Sequence, residues 1–175
     1  MEFLNQYEAS IRYRPLDDEV DYGQSKLFDS GIDSIFLPSH KSADPLIWAA
    51  RCTACFGDKP VYILIPGRRF DVLGTRHGRG KGWYDRFLSQ VPVGWLRIGI
   101  ADASQLSALP LNYQSWDEPV DWVVVYDAPA WRVYQTSRRI EKDLHHCSNL
   151  LFVGLQDFTH SCRCVELDIP VSNGR

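Results

Sequence analysis

The chain has 175 residues, enough for one domain around a single core. Apolar residues make up 45% and charged residues 23%, ordinary globular proportions that exclude wholesale disorder. The formal net charge of −3 argues against a general nucleic-acid binder, whose phosphate contacts demand a basic surface. No apolar run has bilayer-spanning length, and Met1-Glu2-Phe3-Leu4-Asn5-Gln6 lacks a basic-then-apolar leader, so no membrane partner is expected. Five cysteines are an odd count for a disulfide framework, and a reduced, cytoplasmic protein is the simplest reading.

In chain order, the apolar patterns predict a strand over 10–13, an acidic turn at Asp17-Asp18-Glu19, a helix over 22–30 and a strand over 32–37. A helix over 44–56 follows, with Asp44 as cap and Pro45 at its first position. Next come a strand over 61–65, a helix over 83–90 and strands over 96–100 and 122–126. The remainder reads as a helix over 133–145 with strands over 150–153 and 164–169. This alternation predicts a single three-layer α/β domain with a mostly parallel central sheet. Near-continuous hydrophobicity in 61–65 and 122–126 marks central strands covered on both faces. Cys52 and Cys55 lie one helical turn apart in an apolar helix pattern, so at least one of them reads as a core residue. Cys162 and Cys164, near His160, depart from the usual Cys-x-x-Cys zinc spacing.

The most informative stretch runs from Pro66 to Leu88. It carries glycine at every second position from Gly78 to Gly82, between an apolar strand and a helical pattern. Alternating glycines let consecutive backbone N–H groups turn inward, and such a nest before a helix attracts phosphate. Six basic side chains (Arg68, Arg69, Arg76, Arg79, Lys81, Arg86) share the stretch with only Asp71 and Asp85. The loop is neither a P-loop, since Gly82 follows Lys81, nor a dinucleotide fingerprint, since Trp83 stands where its third glycine belongs. It reads as a small-anion site with a carboxylate beside it.

The ordered string Pro66-Gly67, Phe70-Asp71, Gly74, Arg76, Gly78-Arg79-Gly80-Lys81-Gly82, Tyr84-Asp85-Arg86 resembles the signature of 5-formyltetrahydrofolate cyclo-ligases. Downstream, Arg97-Ile98-Gly99-Ile100-Ala101, Gln105, Leu109-Pro110 and Trp116-Asp117-Glu118-Pro119-Val120-Asp121 are similar to the family's closing segments. Upstream, Tyr13-Arg14-Pro15-Leu16-Asp17-Asp18-Glu19-Val20-Asp21, Gly31 and Ile35-Phe36-Leu37-Pro38 resemble its first strands and acidic turn. The likeness covers most of residues 11–126.

The resemblance implies conversion of 5-formyltetrahydrofolate to 5,10-methenyltetrahydrofolate, with ATP and Mg²⁺ as cofactors and a reduced folate and a nucleotide as small-molecule partners. It implies an ATP loop of Arg76, Gly78, Arg79, Gly80, Lys81, Gly82, Trp83 and Tyr84, with Arg79, Lys81 and Tyr84 catalytic. It implies metal binding by Asp85 and Asp117, with Asp121 as an alternate behind them, and substrate contacts from Glu19 and Trp83. Glycine N–H groups plus a lysine are independently what phosphate oxygens require. On this reading residues 1–126 form the cyclo-ligase-like domain, and residues 127–175 are an extension packed on it.

Two family elements have no counterpart here. The basic N-terminal helix is missing, and the segment between Pro38 and Pro66 has room for essentially one helix. A compact enzyme, in which Arg68, Arg69 or the extension supplies the missing cations, is one expectation. A non-catalytic relative that binds a nucleotide, folate or other phosphorylated ligand is the alternative.

Overall fold

The computed structural model describes residues 4–25, 27–28, 31–39, 43–139 and 164–167. In chain order the elements are β1 (Ala9–Arg12), β2 (Asp33–Phe36), α1 (Pro45–Phe56), β3 (Val61–Pro66), β4 (Arg69–Asp71) and β5 (Arg76–His77). They continue as α2 (Trp83–Leu88), β6 (Leu96–Asp102), β7 (Leu106–Ser107), β8 (Trp122–Asp127), β9 (Ala130–Gln135) and β10 (Cys164–Leu167). Among the described residues seven strands form one sheet in the order β10-β9-β8-β6-β3-β1-β2. The five strands from β2 to β8 pair in parallel, and β9 and β10 add antiparallel edges. The structure is therefore α/β with a mostly parallel central sheet, as the alternation of strand and helix patterns predicts.

Alternation along each central strand divides the core between the two faces. Ile63, Ile65, Val123 and Val125 meet Ala49, Cys52 and Phe56 of α1 and Phe87 and Leu88 of α2. Tyr62, Leu64, Ile98, Ile100 and Val124 point the other way, onto Leu4, Tyr13, Tyr22 and Phe28. The described covering of that second face is irregular chain with a single 3₁₀ turn at Tyr22–Gln24. Asp44 caps α1 by accepting from Leu46 N at 2.9 Å, as its position before Pro45 predicts.

Two predicted helices differ from expectation among the described residues. Over 22–30 the described residues form only the 3₁₀ turn; Ser25 is extended, and its hydroxyl takes the Leu27 amide at 3.1 Å, a local bond that competes with helix. Residues 133–135, assigned to the helix over 133–145, belong to β9 instead, which returns along β8 as a hairpin; Arg138 and Arg139 are helical, and 140–145 lie outside the described residues. Trp131 and Val133 face the core while Arg132 and Tyr134 are half-buried, a period of two that outweighs the helical pattern downstream. The predicted strand over 150–153 lies outside the described residues. After β9, Thr136 donates to the Val120 and Asp121 carbonyls, and Arg138 N donates to Leu73 O at 3.0 Å.

A second, three-stranded sheet (β5-β4-β7) stands beside the main one and carries the glycine loop's base. Phe70 of β4 is fully buried in space left by two glycines. A Cβ on Gly67 would lie 2.7 Å from its ring, and one on Gly99 of β6 would lie 2.4 Å away. Asp71, also fully buried, accepts from Leu73 N and Thr75 N with one oxygen and from Leu111 N with the other. Much of the signature around Phe70-Asp71 is thus scaffold for the loops on either side.

Candidate functional site

In chain order the parallel strands lie 2-1-3-4-5 across the sheet, so the winding direction reverses between β1 and β3. Open α/β sheets bind ligands at the carboxyl ends of their strands at this reversal. A cleft of about 660 Å³ opens there, walled by Tyr13 and Arg14 after β1, Leu37 and Pro38 after β2, and Pro66 and Gly67 closing β3. The glycine loop forms its base, and the segment carrying Trp116 and Asp117 forms its far rim.

The residues expected as ATP loop, metal pair and substrate contacts all line this cleft: Glu19, Arg76, Gly78, Arg79, Gly80, Lys81, Gly82, Trp83, Tyr84, Asp85 and Asp117. Gly80 and Gly82 adopt φ of 75° and 57°, the left-handed region that a side chain would strain. No side chain caps α2, whose N-cap is Gly82, and Arg86 Nη1 donates to the Lys81 carbonyl at 3.0 Å. Lys81 is exposed. Six basic lining residues face four carboxylates, so the cleft is locally cationic on a chain of net charge −3. Arg68 lines it; Arg69 is exposed on β4 and does not.

Among the described residues lining the cleft, Arg76 and Asp85 form the most buried ion pair. Arg76 Nη2 lies 3.1 Å from both Asp85 oxygens, and the two side chains are only 6% and 18% exposed. Arg76 also lies over the Tyr84 ring at 5.4 Å. A Cβ at Gly78 would come within 2.6 Å of Arg76 Nη1, so a side chain there would displace the guanidinium from its place. Burial pushes the Tyr84 phenol above its ordinary value, with Glu19 adding to the rise and Arg76 opposing it. Tyr84 is therefore neutral at physiological pH.

Trp83 is tied into the packing: its indole donates to Ala43 O at 2.7 Å and stacks on Phe87 at 5.5 Å. It presents an edge to the cleft and shares its face with the core. Asp121 does not reach the cleft. Its carboxylate accepts from Arg97 N at 2.7 Å and from Arg139, bracing β6 against the chain after β9, which corrects its reading as an alternate metal ligand.

Asp85 also accepts from Glu118 N at 3.2 Å, and Asp117 accepts from Gln114 N at 2.8 Å. Among the described residues no group of three His, Cys, Asp or Glu side chains assembles a metal site. Magnesium needs only one or two carboxylates when phosphates and water complete its shell. The two aspartates therefore fit a cation that arrives with a polyphosphate, and do not form a preformed cage. Of the cysteines, Cys52 is buried in α1 and Cys55 is exposed.

Burial raises the Glu19 carboxyl above its usual range, opposed by the Leu16 amide and by Arg79. A carboxyl raised in the folded state makes its favourable contribution at low pH and loses it as pH rises through the folded value. Glu19→Gln is thus expected to melt higher than the parent at neutral pH, the gap closing below about pH 4. Melting curves across pH check this; a gap that is widest in acid contradicts it.

Sequence reasoning left Asp18 and Trp116 without roles. Asp18 pairs with Arg79 and Arg68 across the cleft, and Trp116 is 70% exposed at its rim. Nothing local in the sequence brings Asp18 to the arginines, because the strand order does so. An aromatic beside a cleft aspartate was the available signal for Trp116.

Fold and cleft together define an α/β protein with a cationic, glycine-lined site at the reversal of its sheet. Residues 60–126, less than half of the chain but containing the whole glycine loop, match the model of the 5-formyltetrahydrofolate cyclo-ligase family. A solved structure of a 5,10-methenyltetrahydrofolate synthetase from Mycoplasma pneumoniae is similar at 23% identity. The similarity covers 67% of this chain and 72% of that one, with a TM-score of 0.48. None of the curated proteins compared matches the chain. No helix among the described residues is long and apolar enough to cross a membrane.

Proposed function

We propose that the protein converts 5-formyltetrahydrofolate to 5,10-methenyltetrahydrofolate in the cytoplasm, using ATP and Mg²⁺. The observation that carries the reading is the family's glycine loop set in a cationic cleft at the sheet reversal. In this reaction the formyl oxygen takes the terminal phosphoryl group, and a second folate nitrogen then closes the ring as phosphate leaves. The protein's task is to neutralise polyphosphate charge and hold the acceptor oxygen in line.

In this reading Lys81 and the amides of Gly78, Gly80 and Gly82 hold the phosphates, with Arg76 as a fixed cation behind them and Arg79 at the mouth. Tyr84, kept neutral by burial, positions an oxygen by donating its proton in a hydrogen bond. Asp85 and Asp117 would hold magnesium, which supplies charge neutralisation on the phosphate oxygens. Glu19 accepts from the pterin's N–H groups, and Trp83 offers an aromatic edge. Residues 127–175 serve as an extension packed on the same domain; limited proteolysis that removes them and leaves a folded remainder would contradict that.

The test is purified protein with ATP, Mg²⁺ and 5-formyltetrahydrofolate, followed by the near-ultraviolet absorbance of the methenyl product. Lys81→Ala is expected to cut turnover about 100-fold with little change in melting temperature. An exposed lysine contributes little to folding, whereas its charge-assisted bond to phosphate is worth about 1.5–3 kcal/mol. Nucleotide binding without product supports the non-catalytic alternative. A Lys81→Ala variant as active as the parent removes the loop from the chemistry.

A further inference from the structure

Arg68 and Arg79 converge on one carboxylate, although the three residues come from separate parts of the chain. Asp18, in the turn after β1, takes Arg79 Nη2 on Oδ1, and Arg68 Nη2 lies 3.6 Å from Oδ2. All three line the cleft, and their side chains remain 38–61% exposed. One acid bridging two guanidinium groups reproduces the way two arginines hold a bound phosphate. Arg79 is followed after one glycine by Lys81, and Arg68, Arg79 and Lys81 all line the one cleft, so this pair adjoins the glycine loop's own cation.

We infer that Arg68 and Arg79 form a second anion subsite for the polyphosphate, and that Asp18 holds it as an internal, displaceable stand-in for a phosphate oxygen. The inference rests on the cleft being the polyphosphate site. Exposed ion pairs add little to stability, so releasing Asp18 costs the fold little. Its negative charge nevertheless competes for both arginines and repels an incoming anion. Asp18 thereby sets how tightly the cleft binds, and favours ligands with enough charge to displace it.

Calorimetry with inorganic tripolyphosphate tests this. Asp18→Asn is expected to tighten binding about tenfold at low salt, with the gain shrinking as salt screens it. Asp17→Asn, the same charge change at an exposed neighbour with no ion pair to either arginine among the described residues, is expected to leave affinity within about twofold. Adding Arg68→Ala to Asp18→Asn is expected to abolish the gain, with melting temperatures reporting that each variant is folded. The inference is overturned if Asp18→Asn binds no tighter, or if Asp17→Asn gains equally. It is also overturned if glutarate, a dicarboxylate, gains from Asp18→Asn while tripolyphosphate does not. If neither parent nor any variant binds tripolyphosphate, the polyphosphate reading of the cleft fails as well.

Discussion

Phe70→Ala is expected to lower stability by about 3–5 kcal/mol, the range for deleting a fully buried aromatic ring. For a chain of this size that corresponds to a fall in melting temperature of about 10 °C. Phe70 has no solvent exposure and packs where Gly67 and Gly99 lack side chains. Removing the ring leaves a cavity between the main sheet and β4, which a close-packed core closes only in part. Gly99→Ala should also destabilise, because its Cβ would lie 2.4 Å from the ring of Phe70. Shortening the side chain by Phe70→Leu in the Gly99→Ala background should recover part of that loss. Such a pair is non-additive because the two residues compete for one space. Thermal melts of the four proteins settle it, and a neutral Gly99→Ala would show that the ring is not held as described.

The same residues show what could be read from sequence. Strands β3 and β8 were legible because both of their faces are buried, giving apolar runs that no surface element shows. The site was legible as a list because its residues are contiguous from Arg76 to Asp85, with Asp117 and Glu19 supplied by resemblance. Strands β4, β5 and β7 were not legible: two or three residues carry no period, and the partners that make them strands are distant in sequence. β9 was hidden by the helix-like pattern after it, although Trp131 and Val133 alternate with Arg132 and Tyr134. Pairings were the least legible of all. Phe70 and Asp71 read as signature residues near an anion site, yet their burial makes them scaffold. Asp85 read as a carboxylate awaiting a metal, and the structure shows it gripping Arg76.

That grip makes Asp85→Asn the sharpest probe of the site. The pair is largely buried, and removing one partner strands the other charge, at a cost of about 3 kcal/mol. Asparagine keeps the shape and accepts with one oxygen, so Arg76 Nη2 would lose one of its two acceptors and some of its fixed position. Two binding effects are expected with tripolyphosphate. Without magnesium, affinity should fall about tenfold, because Asp85, unlike the exposed Asp18, is buried against its partner, and a loosened Arg76 at the cleft floor outweighs the relief of removing that charge. With magnesium, the enhancement expected of the parent should disappear, because a hard cation loses one of its two charged ligands. Asp117→Asn, which leaves the Arg76–Asp85 pair intact, should lose the enhancement alone. These outcomes separate the aspartate's two duties. If magnesium-free affinity is unchanged in Asp85→Asn, Arg76 takes no part in holding the anion. If the enhancement survives there and is lost in Asp117→Asn, Asp85 serves the arginine only, and Asp117 is the cation's carboxylate.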